Sequence, residues 1–406
     1  MARNILIERL HAAPVSEQQV EIVERKGLGH PDSICDAIME RVSLALTREY
    51  LDRFGGVLHH NLDKGMLVAG KAEHRLGGGS IIEPMRLIFG DRATIEVDGQ
   101  RVPVAEIAVE TAKTWLRENM RFVDVERDLR YQVEIKPGSQ ALAEIFRDPT
   151  RAGLYGANDT SAAVGYAPLT ETERLVLETE AHLNSPEFKA LFPECGEDVK
   201  IMGFRARRRL HLTVAVPLID RFIASERDYF ARKERILEAI QAFVGERRGE
   251  LEDVRVYLNT LDHPGHGAAG LYLSVLGTSA EDGDSGQVGR GNRVSGVVAL
   301  NRPASAEAAA GKNPVSHTGK IYNVLSYKVA QEIYREVPGV REVYVWLCSQ
   351  IGVPIDRPKI ASAQVVLARG ARFATVSRHV REIVDYELAH IGEFVRDLAA
   401  GRYHVH

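Results

Sequence analysis

Apolar residues recur along this chain with two periods, one of three to four residues and one of two. The longer period predicts a helix from Pro31 to about Arg53, with the proline in its first turn, and a second helix from Glu171 to Leu183. Two further helices are predicted near the end of the chain from the apolar positions Ile321, Leu325, Val329 and Ile333, and Val384, Leu388, Ile391, Val395 and Leu398.

The two-residue period predicts half-buried strands. It is clearest from Leu210 to Leu218 and returns at 254–258, 271–275 and 343–347. Residues 58–71 are predicted to be extended, 77–79 to form a turn, and 94–104 to form a hairpin around Asp98-Gly99. Because helices and antiparallel strands alternate along the whole chain, the predicted class is α+β.

Length and composition bound the function. The 406 residues are enough for two or three domains, and 45% hydrophobic with 27% charged residues is typical of a folded globular protein. Opposite charges nearly balance, with 52 Lys and Arg against 56 Asp and Glu, so no overall basic field attracts nucleic acid or an anionic membrane. The three cysteines lie far apart, which predicts neither a disulfide framework nor a zinc site, and we expect a cytoplasmic protein.

Four stretches are too rich in Gly, Asp, Asn and Ser to be ordinary connections: 27–36, 153–165, 277–296 and 311–320. The third, GTSAEDGDSGQVGRGNRVSG, combines glycines, carboxylates and arginines. Its backbone N–H groups and guanidinium groups suit a phosphate and its carboxylates suit a divalent ion, which predicts a metal–polyphosphate site, with an ordinary surface loop as the alternative.

Known motifs do not explain these loops. An EF-hand starting at Asp282 would place Gln287 at the turn glycine, and a dinucleotide fingerprint starting at Gly289 would place Val294 at its third glycine. A Walker A loop ending near Lys312 would place Asn313 where a Ser or Thr binds magnesium. Calcium sensing, the Rossmann fingerprint and the P-loop are therefore excluded.

Three other places carry candidate chemistry. His30 and Asp32 stand at a predicted helix N-terminus, which favours anions, although Asp32 could serve as a capping residue only. Asp198 and Lys200 would share one face of an extended segment just before a basic run, 205–209, that is predicted to be solvated surface. His59-His60 lacks a third metal ligand at a suitable spacing, so both are predicted to be structural.

Taken together, four motifs in this order resemble the archaeal-type S-adenosylmethionine synthetases: ERKGLGHPDSICDAI, GANDTSAAVGYAPL, GTSAEDGDSGQVGRGNR and EAAAGKNPVSHTGKIYN. The resemblance covers essentially the whole chain. It implies three interleaved α+β domains of mixed or antiparallel sheet and helices with approximate threefold symmetry. The expected divisions are 1–28 plus 168–276, 29–150 plus 277–320, and 151–167 plus 321–406.

The resemblance also implies a reaction. The sulfur of L-methionine attacks C5′ of ATP and expels triphosphate, which is then hydrolysed to pyrophosphate and phosphate. A neutral thioether needs no general base, so catalysis depends on offsetting the charge of the leaving group and aligning the reacting atoms. The family uses a pair of magnesium ions and often potassium, and its active sites lie between the subunits of a homodimer, in some members a dimer of dimers. Neither nucleic acid nor membrane is an expected partner.

By motif, the resemblance assigns His30 to the leaving oxygen or the adjacent phosphate, and Asp32 and Asp284 to the metals. The expected phosphate contacts are Lys200, Arg290 and Lys312. The remaining expected contacts to ATP or methionine are Asp159, Asp198, Gly286, Gly289, Arg293 and Lys320.

This chain departs from the bacterial and eukaryotic branch, which has further Lys and Asp where Ser316, His317 and Thr318 stand here. Arg293 and Lys320 are therefore expected replacements, and the potassium ligands cannot be transferred. Two other functions stay open at this point: another magnesium–ATP enzyme, a kinase or phosphohydrolase that attacks phosphorus, and a nucleotide-binding regulator without turnover.

Overall fold

The computed structural model describes residues 3–138, 146 and 154–406. Its strands, in chain order, are β1 (Ile5–Arg9), β2 (Val20–Lys26), β3 (His60–Asn61), β4 (Met66–Val68), β5 (Lys71–Glu73), β6 (Ser80–Glu83), β7 (Met85–Ala93), β8 (Glu96–Val97), β9 (Gln100–Arg101), β10 (Leu129–Pro137), β11 (Ala162–Ala167), β12 (Lys200–Ala206), β13 (Arg209–Ala215), β14 (Leu218–Ile219), β15 (Asp253–Leu258), β16 (Leu273–Ser274), β17 (Gly286–Gln287), β18 (Val298–Ala299), β19 (Val340–Cys348) and β20 (Ile360–Leu367). The helices are α1 (Pro31–Phe54), α2 (Val104–Asn119), α3 (Glu171–Leu183), α4 (Pro186–Leu191), α5 (Glu226–Arg247), α6 (Thr318–Glu336), α7 (Phe373–Ala389) and α8 (Ile391–Ala399).

These elements build three larger sheets. The first has the order β10-β7-β4-β17, with β3 also paired to β7, and helices α1 and α2 pack on it. The second has the order β15-β13-β12-β2-β18 and carries α3 and α5. The third has the order β1-β20-β19-β11 and carries α6 and α7. Each sheet joins segments that are distant in the sequence, so the chain passes repeatedly from one sheet to another.

The predicted α+β class is confirmed, but the sheets are mixed rather than antiparallel throughout. Strand pairs β1–β20, β7–β10 and β13–β15 are parallel. The first and third sheets share one hydrophobic core, and the second sheet has a core of its own. No helix among residues 3–138 and 154–406 combines the length and the apolar character that crossing a membrane requires.

The predicted helices are present as α1, α3 and α6, and the hairpin at Asp98-Gly99 forms as β8–β9. Three predictions were too simple. The last predicted helix is broken at His390 into α7 and α8, the strand predicted over 210–218 stops at Ala215 before Pro217, and only Leu273–Ser274 of 271–275 is paired. Short strands of this kind depend on partners from elsewhere in the chain, which periodicity does not show.

The basic run 205–209 was predicted to be solvated surface, but one of its arginines is buried. Arg205 is only 5% exposed, and its guanidinium donates to Glu21 (2.8 Å) and to the backbone carbonyls of Val15 and Gln18 (both 3.1 Å). A buried guanidinium needs this many partners to offset the loss of water. Arg205 therefore fixes the turn before β2 rather than facing solvent.

Candidate active site

The first motif places His30 immediately before α1, as its N-cap. The backbone N–H of Asp32 donates to Nδ1 of His30 at 3.2 Å, so Nδ1 accepts and the proton of the neutral ring lies on Nε2. Burial, opposed by the carboxylate of Asp32, lowers the pKa of His30 to about 4, and the nearby charge of Lys26 and Lys200 lowers it further. At neutral pH the side chain is thus an uncharged N–H donor of fixed tautomer.

Asp32 is buried in the first turn of α1, where the helix dipole favours a carboxylate. One of its oxygens accepts from Nζ of Lys26 at 2.8 Å and the other accepts from the backbone N–H of Gln287 at 2.9 Å. Lys26 ends β2 and also donates to the backbone carbonyl of Arg290. Asp32 therefore joins the helix to the third glycine-rich loop.

The third glycine-rich loop packs closely against α1 because Gly286 has no side chain. A Cβ at Gly286 would come within 2.1 Å of the carbonyl oxygen of Pro31, which no larger residue could tolerate. Thr278 anchors the other end by donating to the carbonyl oxygen of Gly29 at 2.7 Å, and Gly29 N–H donates to Glu197 at 2.9 Å. The segment from Thr278 to Gly286 is thereby fixed beside His30.

Asp198 lies next to this segment. It is 3% exposed and accepts from both the backbone N–H and the hydroxyl of Ser279. Burial raises the pKa of Asp198 to about 6, with the charge of Asp284 also raising it and Lys200 lowering it. Asp284 is exposed, and its carboxylate has no hydrogen bond or ion pair within the described part of the chain. Several carboxylates and two lysines, Lys26 and Lys200, thus share a small region.

One turn along α1, Asp36 receives the backbone N–H of Gly289 at 2.8 Å. Burial raises the pKa of Asp36 to about 7, while the N–H groups of Gly289 and Gly291 and the charge of Arg293 act in the opposite direction. Arg293 also donates to the carbonyl oxygen of Gly289 at 2.8 Å. Asp36 and Arg293 therefore fix the conformation of the loop around Gly289.

Lys312 belongs to a second cluster of charges. It is 1% exposed, and its ammonium donates to Asp63 and lies 3.1 Å from Glu307. Nearby, Lys320 of α6 is fully buried and donates to both oxygens of Glu40, at 2.8 and 2.6 Å. Burial lowers the pKa of Lys320 against the effect of Glu40. Lys320 therefore forms a buried ion pair that joins α6 to α1.

His317 caps α6 in the way that His30 caps α1. Its Nδ1 accepts from the backbone N–H of Gly319 at 3.1 Å, and burial, with Lys312 also contributing, lowers the pKa of His317 to about 3. Asp159 lies close enough to act on this ring, and its carbonyl oxygen accepts from Ser349 at 2.8 Å and Thr318 at 3.2 Å. Gly153, where the second glycine-rich stretch begins, lies outside the described residues.

A further group of possible metal ligands includes two residues of the third loop. Ligand atoms of His74, Glu281 and Asp282 all lie within 4.8 Å of one another. Both oxygens of Glu281 already accept protein donors, including His74 at 2.8 Å and the N–H of Leu276 at 2.6 Å. The carboxylate of Glu281 is therefore already occupied by protein donors, and its ion pair with His74 stabilises the loop.

Comparisons with known proteins show the family to which the chain belongs. The family model of S-adenosylmethionine synthetase (AdoMet synthetase) matches residues 3–402. The S-adenosylmethionine synthase of Pyrococcus furiosus is 47% identical over 391 residues, covering 96% of each chain, and that of Methanothermobacter thermautotrophicus is 44% identical over 400 residues, covering 98% of this chain and 99% of its own. The chain belongs to the S-adenosylmethionine synthetase family. Among solved structures, an unusual S-adenosylmethionine synthetase from Campylobacter jejuni has a similar fold, with a TM-score of 0.61 over 94% of each chain and 15% identity.

For this S-adenosylmethionine synthetase family member, the structure brings six of the expected site residues together: His30, Asp32, Asp198, Lys200, Asp284 and Gly286. Gly289 and Arg293 lie at the edge of this group, where Gly289 N–H donates to Asp36 and Arg293 donates to the carbonyl oxygen of Gly289. The side chain of Arg290 is exposed, and its backbone carbonyl oxygen accepts from Lys26. Lys312, Lys320 and Asp159 lie in the second cluster. Among the described residues, no hydrogen bond or ion pair joins a charged side chain of one cluster to one of the other.

Sequence reasoning missed several charged residues of both clusters: Lys26, Asp36, Glu40, Asp63 and His317. Lys26 and Asp36 stand inside the first motif, so their positions were visible, but their partners come from a loop about 250 residues away. Of the two adjacent histidines, His60 is buried and hydrogen-bonded to Ser43 at 2.9 Å.

Proposed function

We propose that the protein makes S-adenosylmethionine from ATP and L-methionine by attack of the methionine sulfur on C5′ of ATP. The observation that carries the proposal is the neutral, buried His30 with its Nε2–H free, set between Lys200 and the carboxylates of Asp32 and Asp284. Family membership supports the same reaction.

The site suits a departing triphosphate. As the bond between C5′ and its oxygen breaks, negative charge develops on that oxygen, and the Nε2–H of His30 is the donor that would stabilise it. Folding has already removed water from this uncharged donor, and the helix cap holds its ring in place. Little further desolvation or reorientation is therefore needed when the charge develops. Lys200 and Arg290, both without buried carboxylate partners, would bind the phosphates.

We propose that Asp32 and Asp284 hold magnesium, as a pair of ions, with potassium as a further cofactor whose ligands we do not assign. The residues fit a hard divalent cation, because the carboxylate of Asp284 has no hydrogen bond or ion pair within the described residues. Its negative charge also adds to the effect of burial in raising the pKa of the neighbouring Asp198. The cations would neutralise charge on the triphosphate.

The metal assignment has a direct test. Replacing Asp284 with Asn should raise the magnesium concentration needed for half-maximal activity by about tenfold, because one anionic ligand is lost from an exposed position that contributes little to folding. An unchanged magnesium titration would remove Asp284 from the metal ligands. Ser285→Ala, at the neighbouring exposed position, is the control.

We further propose a homodimer, or a dimer of dimers, in which each active site lies between two subunits. The resemblance to the family supports this, and we assign His30, Asp32, Lys200 and Asp284 to one subunit of each site and Asp159 and Lys312 to its partner. The expected replacement Lys320 would act indirectly, through its ion pair with Glu40.

We propose that the three sheets correspond to three interleaved domains with approximate threefold symmetry, divided as 1–28 plus 168–276, 29–150 plus 277–320, and 151–167 plus 321–406. The boundary near residue 150 lies outside the described residues. The similar build of the sheets, each with helices on one face, supports this division. A cytoplasmic location, without nucleic acid or membrane partners, remains our proposal from charge and cysteine content.

The test of the proposed function is incubation of the purified protein with ATP, L-methionine, magnesium and potassium. We expect S-adenosylmethionine by mass, with pyrophosphate and phosphate, and no phosphate release when methionine is omitted. Turnover of ATP without methionine would favour a phosphohydrolase or kinase, and ATP binding without any product would favour a regulator.

A further inference from the structure

The buried ammonium of Lys312 depends on one carboxylate more than on any other. Asp63, 7% exposed at its side chain, accepts from Nζ of Lys312, while the second carboxylate, Glu307, is 41% exposed and 3.1 Å away. The backbone brings them together, because Asn61 of β3 forms an isolated antiparallel bridge with Lys312 and Leu62 N–H donates to the carbonyl oxygen of Gly311 at 2.9 Å.

Asp63 is itself held by a second acid. Nδ2 of Asn61 donates to Asp63 and to Asp91, both at 3.0 Å, so one amide joins the two carboxyl groups. Asp91 is in β7 with φ of 92°, a left-handed conformation that costs free energy in a residue with a side chain. This conformation directs its carboxyl group to the amide of Asn61 and toward the Asp63–Lys312 pair.

The two acids differ in ionisation. Burial, the largest single influence, acts to raise the pKa of Asp63, but the charge and hydrogen bond of Lys312 and the hydrogen bonds with Asp91 and Lys64 together hold that pKa well below its usual range. Burial and the hydrogen bond with Asp63 raise the pKa of Asp91 to about 6. A proton is therefore held on Asp91 below this pH and lost above it, while Asp63 stays charged.

We propose that Asp63 is the positioning residue for Lys312 and that Asp91 makes the affinity of this lysine for polyphosphate depend on pH. The inference rests on the proposed function only in taking Lys312 as a contact to the triphosphate. When Asp91 loses its proton, a second negative charge beside the ammonium opposes an incoming phosphate. When Asp91 is protonated, Asp63 alone orients the ammonium.

Other charged groups surround this pair and define what the test must control. They come from the β3–β4 loop, β7, the loop before α6, and α6 itself, and comprise Lys64, Arg92, Glu307, His317 and Lys320, with Asp159 acting on His317. His317 stays neutral over the relevant range because its pKa is about 3. Asp91 is therefore the group of this cluster whose pKa has been moved to near 6.

The test is the affinity for magnesium–ATP measured by titration calorimetry from pH 5 to 8, for the wild type and Asp91→Asn, with magnesium saturating. The substrate titrates equally in both experiments, so the difference between the proteins isolates Asp91. We expect wild-type affinity to fall by at least about threefold through pH 6 relative to the variant, as one added charge near the ammonium implies. Coincident pH profiles would overturn the role of Asp91.

The role of Asp63 is tested separately. Asp63→Asn should weaken magnesium–ATP binding by about 10- to 100-fold, because a buried ammonium loses its charged acceptor, and Asp63→Glu should recover part of the loss. Lys64→Gln is the matched control, because it removes an exposed ammonium from the same carboxylate and should change affinity less than about twofold. A folded Asp63→Asn protein with wild-type affinity would overturn the positioning role.

These measurements do not need turnover. If the wild type binds ATP with the expected pH step but makes no S-adenosylmethionine, the proposed function fails and the inference about Asp63 and Asp91 stands. If S-adenosylmethionine is made and the pH profiles coincide, the inference about Asp91 fails and the proposed function stands. Should Asp63→Asn not fold, the Asp91→Asn comparison still decides.

Discussion

At the scale of single residues, His30 caps α1, and substitution can separate this structural role from the chemical role that we propose for it. Asn is also a good N-cap, so His30→Asn should keep α1 stable while removing the Nε2–H. We expect kcat to fall by about 100-fold or more with ATP affinity changed less than about threefold, because the donor acts on charge that develops only in the transition state.

Steady-state kinetics with ATP binding measured alongside would check this expectation. His30→Ala is the comparison, because it loses both functions and should also lower the free energy of unfolding by about 1 kcal/mol. Equal losses of turnover and of ATP affinity in His30→Asn would assign the side chain to binding of the ground state instead.

Asp36 gives a pH dependence of stability whose sign follows from its raised pKa of about 7. The native state keeps a proton that the unfolded chain releases near pH 4, so the free energy of unfolding should decrease as pH rises from about 4 to 7, by about 1–4 kcal/mol from this group. Asp36→Asn keeps an acceptor for Gly289 and cannot titrate. Urea unfolding at pH 5 and 8 should show a smaller difference in the variant, and an equal difference would remove Asp36 as the source.

The site was partly predictable at this scale. The position of His30 and Asp32 at a helix N-terminus could be predicted from their own motif. The ion pair of Lys320 could not be predicted, because its partner Glu40 belongs to a different helix. Asp63 was missed because nothing in the sequence shows that β3 pairs with the segment containing Lys312.

At the scale of elements, the contact between the third loop and α1 depends on the absence of a side chain at Gly286. Gly286→Ala would place a methyl group 2.1 Å from the carbonyl oxygen of Pro31, and we expect a loss of about 1–3 kcal/mol of stability together with most of the activity. Gly283→Ala is the matched control in the same loop, since its Cβ would meet nothing closer than 3.5 Å. Equal behaviour of the two variants in thermal unfolding would contradict this packing argument.

Several helices with strong periodicity were predicted well, although α2 and α5 were not predicted, and elements defined by pairing were not predicted. α3 begins at the predicted residue because Thr170 and Glu173 form a capping box, a signal contained in four consecutive positions. β17 and β18 have two residues each and exist only because β4 and β2 accept them, so no local pattern could have shown them. The parallel pairs of the mixed sheets were missed for the same reason.

At the scale of the whole molecule, the two charged clusters of one chain predict that two inactive variants can complement each other. If each site lies between two subunits, as we propose, His30→Asn and Lys312→Met would each damage a different half of it. A mixture refolded or exchanged together should contain hybrid dimers with one intact site, and should recover up to about a quarter of wild-type activity. Each variant alone, treated identically, is the control. Failure of mixed but exchanged dimers to recover activity would show that each site is built from one chain.

The most direct test of the central claim is which bond of ATP breaks. ATP carrying ¹⁸O in the bridge between C5′ and the α-phosphorus should be incubated with L-methionine, magnesium and the protein, and all products examined by mass. Attack on C5′ predicts that the label leaves entirely with the inorganic products and is absent from the adenosyl sulfonium. Label retained on the nucleoside product would show cleavage at phosphorus and would contradict the account.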